Sequence, residues 1–201
     1  KLVSKKNPDS NREQRRKIAI KIKKLPRELL LNTIDDIIQN DLKMRGVTCF
    51  SKKYDNLLMW SHYGKSHEGI SIGFNLKQLY YYINTVHYYD MFFIKAKYEV
   101  EFEAMDYFKN KNQAIINWLR TKSIDWKYEE EVRIVLSDLK FNSEGLYILP
   151  IDKNCIKHVY LGSRILPEHE SCVRELIAKQ YPEVIIKKLK LNTNKFELID
   201  E

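Results

Sequence analysis

From residue 131 to the end of the chain, runs of branched and aromatic residues follow one another with a single helix-length segment among them. Strand composition marks 131–136 (EVRIVL), 145–150 (GLYILP), 156–161 (IKHVYL), 184–191 (VIIKKLKL) and 195–199 (KFELI). The helix-length segment begins at Pro167, whose fixed φ suits a first helical turn, and runs to about Gln180. Successive parallel strands need a crossover connection, usually a helix, and most of these runs have no room for one. The pattern therefore predicts an α+β domain, with a mainly antiparallel sheet core flanked by helices, rather than a doubly wound parallel sheet. The six glycines form neither a phosphate loop nor a dinucleotide fingerprint, so any nucleotide must be held in another way.

The first half is more mixed. Pro26 suits the start of a helix in which Leu30, Ile34, Ile37 and Ile38 mark one face as far as Leu42, and Gly46 ends that unit. Strands are expected at 47–51 (VTCFS), 69–75 (GISIGFN) and 92–100 (FFIKAKYEV). Helices are expected at 55–64, capped by Asp55 or Asn56 and stopped by Gly64, and at 76–83. A longer helix is expected at 104–122, with apolar positions that include Phe108, Ile115 and Leu119. The expected organisation is a basic helical segment, 1–45, followed by an α+β domain, 46–201, with a further strand upstream of Lys1.

The formal net charge of +8 is concentrated at one end. Residues 1–27 hold eleven Lys or Arg against two acids, whereas 28–201 hold 24 bases against 25 acids. Arg12, Arg15, Arg16 and Lys23 would suit contact with nucleic-acid phosphates, which makes a non-enzymatic nucleic-acid-binding module one reading of the chain. The other is the solvated face of an amphipathic helix that buries Ile18, Ile22, Leu25 and Leu29. No apolar run approaches the ~18 residues of a membrane span, and no secretory leader is evident. Cys49, Cys155 and Cys172 are odd in number and unpaired in spacing, as expected of reduced thiols in the cytoplasm.

Two stretches carry residues suited to chemistry. In YEEEVRIV (128–135), a strand would place Glu129, Glu131 and Arg133 on one side and Glu130, Val132 and Ile134 on the other. Residues two apart are roughly 6.6 Å apart, too far to share a proton but close enough to touch different atoms of one ribose. A carboxylate beside an anomeric carbon stabilises the positive charge that develops as a glycosidic bond breaks. Arg133 could orient Glu131 or meet a phosphate. The same residues also suit an exposed edge strand whose charges discourage pairing.

In CFSKKYDNLLMWSHYGKSHEGISIGF (49–74), Trp60 and Tyr63 could stack on nicotinamide or a base, and His62 or His67 could bond a ribose hydroxyl. The alternative is a set of core aromatics with a satisfied histidine. Metal binding is not expected, because His62 and His67 lack the helical two-histidine spacing and no cysteine pair is near. A nucleophilic pair of Cys49 with His62 is weighed against a buried strand cysteine, which is the expectation adopted. Arg164, in YLGSR (160–164), could serve a phosphate or simply stand at a strand-to-turn junction.

Together, FS…NLLMWSHY…H.GI.IGF, W.YE.EVRIV and IK.VYLGSR resemble, over about residues 47–164 and in matching order, the motif series of a bacterial domain-of-unknown-function family. A second resemblance concerns chemistry. A strand carrying Glu-x-Glu-Val, preceded by a strand ending in serine and a short aromatic helix, is similar to the ADP-ribosyltransferase pattern that acts on NAD. That resemblance implies a split sheet, with Glu131 as the catalytic glutamate holding the nicotinamide ribose. It further implies that Glu129 prepares the acceptor, that Ser51 is the middle-motif serine, and that Trp60 or Tyr63 packs on nicotinamide. Its first motif has no equivalent here, since Arg45 is too close to Ser51. The implied activity is NAD-consuming ADP-ribosyl transfer to a protein or nucleic acid, in a toxin or phage-defence effector. With water as acceptor it would be an NAD or nucleoside glycohydrolase.

Overall fold

The structure, a computed structural model, describes residues 12–24, 26–87, 91–137, 139 and 142–201. Its helices are α1 (Arg12–Lys23), α2 (Arg27–Lys43), α3 (Leu57–His62), α4 (Leu76–Val86), α5 (Lys111–Arg120) and α6 (Pro167–Gln180). Its strands are β1 (Gly46–Ser51), β2 (Ile70–Phe74), β3 (Met91–Lys95), β4 (Lys97–Glu99), β5 (Thr121–Ser123), β6 (Glu131–Leu136), β7 (Ile156–Leu161), β8 (Ile185–Leu191) and β9 (Leu198–Asp200).

Two main sheets form. In the first, β6 lies between β1 and β3 and pairs antiparallel with both. In the second, of order β2-β7-β8-β9, β2 and β9 run antiparallel to their neighbours. The parallel pair β7 and β8 is the one joined through α6, as a crossover requires. A short parallel pair, β4 with β5, completes an α+β architecture in which antiparallel pairing dominates.

Each layer buries its own apolar stripe. Leu79 and Ile83 of α4 cover the first sheet at Met91, Ile134 and Leu136. Ile177 of α6 covers Val159 and Leu161 of the second. Trp60 of α3 packs with Tyr160, Leu189 and Leu198. The α2 helix docks more loosely, through half-buried Ile37, Ile38 and Leu42 against Tyr107, Ala114 and Ile115. Leu29, expected to be buried, is 49 % exposed, because α2 meets the domain through its second half. The side chains of Ile18 and Ile22, and Leu25 itself, lie outside what the structure describes.

Side-chain caps decide several boundaries. Asn56 Oδ1 accepts from the N–H groups of Leu58 and Met59 at 2.9 and 3.1 Å, so α3 starts one residue later than an Asp55 cap would allow. The helix expected at 104–122 forms only as α5. Asp106 closes a turn by accepting from Phe108 and Lys109, and Asn110 then caps a fresh start. Residues 92–100 break at Ala96, whose N–H donates to the Glu131 carbonyl at 3.0 Å. No strand forms at 145–150. Tyr147, Leu149 and Ile151 pack inward there, yet no neighbouring strand supplies a ladder.

After α3 the chain turns left-handed for three residues, Lys65, Ser66 and His67, with φ of 50°, 54° and 71°. Non-glycine residues resist this conformation, so surrounding contacts must impose it. The His67 N–H donates to the Trp60 carbonyl at 3.2 Å, Gly69 to Gly64 at 2.8 Å, and Arg164 to the His67 carbonyl at 2.9 Å. Gly162 makes the close approach possible: a Cβ there would lie 2.1 Å from the His67 carbonyl oxygen. Gly162→Ala is expected to cost about 3 kcal/mol, the upper end for a forced overpacking, measured by urea unfolding. A cost under about 0.5 kcal/mol, usual for an unconstrained surface site, would contradict the geometry.

Candidate active site

The site is built around the turn that leads into β6. Ser123 caps a short 3-10 turn, Ile124–Glu129, and Glu130 follows in the left-handed region with φ of 44°. That reversal, rather than strand alternation, brings Glu129 and Glu131 together. It corrects the expected extended spacing, because β6 begins only at Glu131. The two residues are 3 % and 4 % exposed.

Burial of two carboxylates is tolerable only with compensating cations. Lys122 of β5 supplies one, donating from Nζ to Glu129 Oε2 and, at 3.3 Å, to Glu131 Oε2. Arg133 supplies the other as a fork, Nε to Glu131 Oε1 and Nη2 to Oε2, both 3.0 Å. Its Nη1 donates to the Leu119 carbonyl at the end of α5. The Tyr63 hydroxyl donates to Glu129 Oε1 at 2.9 Å, and the Glu131 N–H donates to the Tyr98 hydroxyl at 2.8 Å. Two negative and two positive groups thus form one closed network.

Ser51 lies directly opposite Glu131 in the β1–β6 register. Its hydroxyl donates to the Glu129 carbonyl at 2.8 Å and accepts from the Lys53 N–H at 3.1 Å, so it fixes the turn rather than touching a carboxylate. His62, Tyr63, Trp126 and Tyr128 form a ring cluster, His62 standing 6.0–6.3 Å from each of the others. Lys122 Nζ lies 5.1 Å from the Trp126 centroid. Tyr63 is 63 % exposed. Trp60 is buried, and its indole N–H donates to the Tyr54 carbonyl at 2.6 Å, so its main role is to anchor α3.

Beside the network an open cleft of about 700 Å³ separates the first sheet from the second. Ser51, Lys52 and Lys53, from β1 and the residues after it, line it together with Tyr63 at the end of α3, Gly73 of β2 and His158 of β7. Neither carboxylate lines it; Ser51 and Tyr63, which do, each hydrogen-bond Glu129. Cys49 also lines it and is exposed, not buried as expected, because β1 is an edge strand.

The charges shift the titrations. Burial alone would raise the Glu131 carboxyl, but the Arg133 fork, a Cys49 hydrogen bond and the nearby Arg133 and Lys122 charges hold it at about 2. Desolvation of the Cys49 sulfur, then its contact with Glu131, pushes that thiol up to about 11, so it is no thiolate nucleophile at neutral pH. The hydrogen bond to Glu129 raises the Tyr63 hydroxyl. Burial would lower Lys122, yet Glu129 and Glu131 hold it above its ordinary value.

The structure therefore brings together Glu129, Glu131, Arg133, Ser51, Tyr63 and His62, and sets Trp60 behind them. Sequence reasoning missed Lys122 and Tyr98. Trp126 and Tyr128 stood in the W.YE block beside the glutamates, which was the available signal. Arg12 and Arg16 are exposed on α1, whereas the side chains of Arg15 and Lys23 lie outside the described residues. Among the described residues no helix is long and apolar enough to cross a membrane.

Residues 59–134 match the model of a family described as "Protein of unknown function (DUF2971)". The resemblance read from the motifs is borne out over that stretch, which includes Tyr63, Lys122, Glu129, Glu131 and Arg133. No curated protein and no solved structure matches the chain.

Two outcomes follow for stability. Lys122→Met removes the cation paired with Glu129 and leaves Glu131 to Arg133 alone, and is expected to cost about 3–5 kcal/mol in urea unfolding at pH 7, part of which Glu129→Gln restores. A cost near zero would contradict the network. Because the Glu131 carboxyl falls from 4.5 to about 2 on folding, its stabilisation is present above pH 4.5 and is lost as pH falls towards 2. Glu131→Gln should therefore flatten the acid limb of a stability–pH curve in that window; an unchanged limb would contradict the assignment.

Proposed function

We propose that this protein is an NAD-consuming, ADP-ribosyltransferase-like enzyme of the bacterial cytosol, acting as a toxin or phage-defence effector. The observation that carries the reading is the pair of buried carboxylates on the β6 turn, held opposite Ser51 beside the open inter-sheet cleft. The three free thiols suit a reducing compartment.

On this reading Glu131 accepts a hydrogen bond from the nicotinamide ribose and stabilises charge at its anomeric carbon. The bond from that carbon to the nicotinamide nitrogen breaks, and the electron pair leaves with nicotinamide. The acceptor nucleophile then bonds to the carbon, and its proton passes to Glu129. Arg133 keeps Glu131 ionised and oriented, while Tyr63 and His62 offer rings to nicotinamide. Because Tyr63 and Lys122 occupy the carboxylates, both must withdraw when the sugar enters. The acceptor is a macromolecule; the exposed Arg12 and Arg16 favour a nucleic acid over a protein.

The test is nicotinamide release from NAD, with labelled NAD and cell extract to trace the ADP-ribose. Wild type should release nicotinamide, and Glu131→Gln should lower the rate at least about 100-fold, the scale of losing one transition-state charge contact. Label on nucleic acid supports the acceptor, label on protein moves it, and free ADP-ribose alone makes the enzyme a glycohydrolase. No release by the wild-type protein, or unchanged release by Glu131→Gln, would overturn the reading.

A further inference from the structure

The wall of the cleft formed by β2 and β7 is built differently from the carboxylate network. Tyr160 and His158 are two residues apart on β7 and so share a face. Their rings lie 5.7 Å apart at an interplanar angle of 18°. Tyr54 stacks on Tyr160 at 4.2 Å and 13°. Three nearly parallel rings therefore form an array along the wall, with His158 at its end.

Gly73 is the β2 partner of His158. A Cβ there would come within 3.1 Å of His158 Cβ and 3.3 Å of Tyr160 Cε2, so glycine keeps the space beside both rings clear. Immediately after it the register slips: Phe74 pairs with Ile156, leaving Lys157 without a partner. A bulge beside a strand glycine redirects side chains and lets another group approach closely. Lys52 and Lys53 line the same cleft. Lys53 stands 3.7 Å from Glu130, and among the described residues Lys52 forms no ion pair.

We propose that this wall binds a purine nucleotide, with the base extending the Tyr54–Tyr160–His158 array over Gly73 and the phosphates meeting Lys52 and Lys53. Parallel rings suit a flat heterocycle, and adjacent ammonium groups suit the phosphates attached to it. A cleft of about 700 Å³ is within the range that holds such ligands. The proposal deepens the reading of the cleft as an NAD site, on which it rests for the identity of the whole ligand, by placing the adenylate half.

Calorimetric titration with AMP, ribose 5-phosphate and inorganic pyrophosphate tests it. AMP should bind about tenfold more tightly than ribose 5-phosphate, the increment expected from one stacked base. His158→Ala should remove that advantage and leave ribose 5-phosphate binding unchanged, whereas Lys52→Ala with Lys53→Ala should weaken both. Gly73→Ala, checked by its thermal transition for an intact fold, should weaken AMP selectively. Equal binding of AMP and ribose 5-phosphate, no AMP binding by wild type, or full AMP affinity in His158→Ala would overturn the proposal. AMP binding without nicotinamide release would contradict the catalytic reading alone; release from NAD without base selectivity would contradict this one alone.

Discussion

Two carboxylates almost wholly removed from water, on residues separated by one, are the constraint from which the rest of the site follows. Isolated, either would be driven to protonate or to pull the chain open. They persist because Lys122 and Arg133 return the charge balance to zero and occupy the carboxylate lone pairs. That compensation binds distant parts of the chain. Lys122 comes from β5, Arg133 reaches back to the end of α5, Tyr63 ties in the end of α3, and Tyr98 ties in β4. A buried ion cluster is weak evidence for stability by itself, since an apolar replacement often does as well. Here it also lies beside an open cleft between two sheets, the feature on which the proposed function rests.

The cleft exists because the two sheets present edge strands, β1 and β2, to the same space. Ser51 ends β1 and fastens the β6 turn, while the left-handed run 65–67 and its backbone bonds fasten the end of α3. The carboxylates and the Tyr63 ring are thus set by rigid neighbours on either side. The hydroxyl of Tyr63 is the less constrained part, because the ring is largely exposed and has one hydrogen bond to hold it. On the proposed reading this is a closed form of the network, which a ligand with its own hydrogen-bond donors would replace.

Much of this was legible in the sequence where local signals agreed. The α+β class, the extents of β6, β7 and α6, and the face of α2 formed by Leu30, Ile34, Ile37, Ile38 and Leu42 follow from composition, Pro167 and periodicity. The grouping of Glu129, Glu131 and Arg133 was also legible: Glu131 and Arg133 share a face of β6 as alternation predicts, whereas Glu129 joins them through a 3-10 turn and a left-handed Glu130 rather than through the strand. The strand expected at 145–150 has the right alternation, but pairing depends on a neighbour that no local pattern reveals. Phe108 was placed inside a helix that Asp106 and Asn110 cut short with side-chain bonds. Lys122 and Tyr98 were invisible because their role depends on tertiary approach to the turn.

The central claim is that the ion network is a closed form of a substrate site. The most direct measurement is NMR of the Lys122 ammonium, assigned by a Lys122→Arg variant, in the presence and absence of a non-cleavable NAD analogue. The account predicts that the analogue shifts the Lys122 signal as the ammonium leaves Glu131. Cleft resonances that respond to the analogue while Lys122 stays fixed would show the network to be structural and would contradict the account.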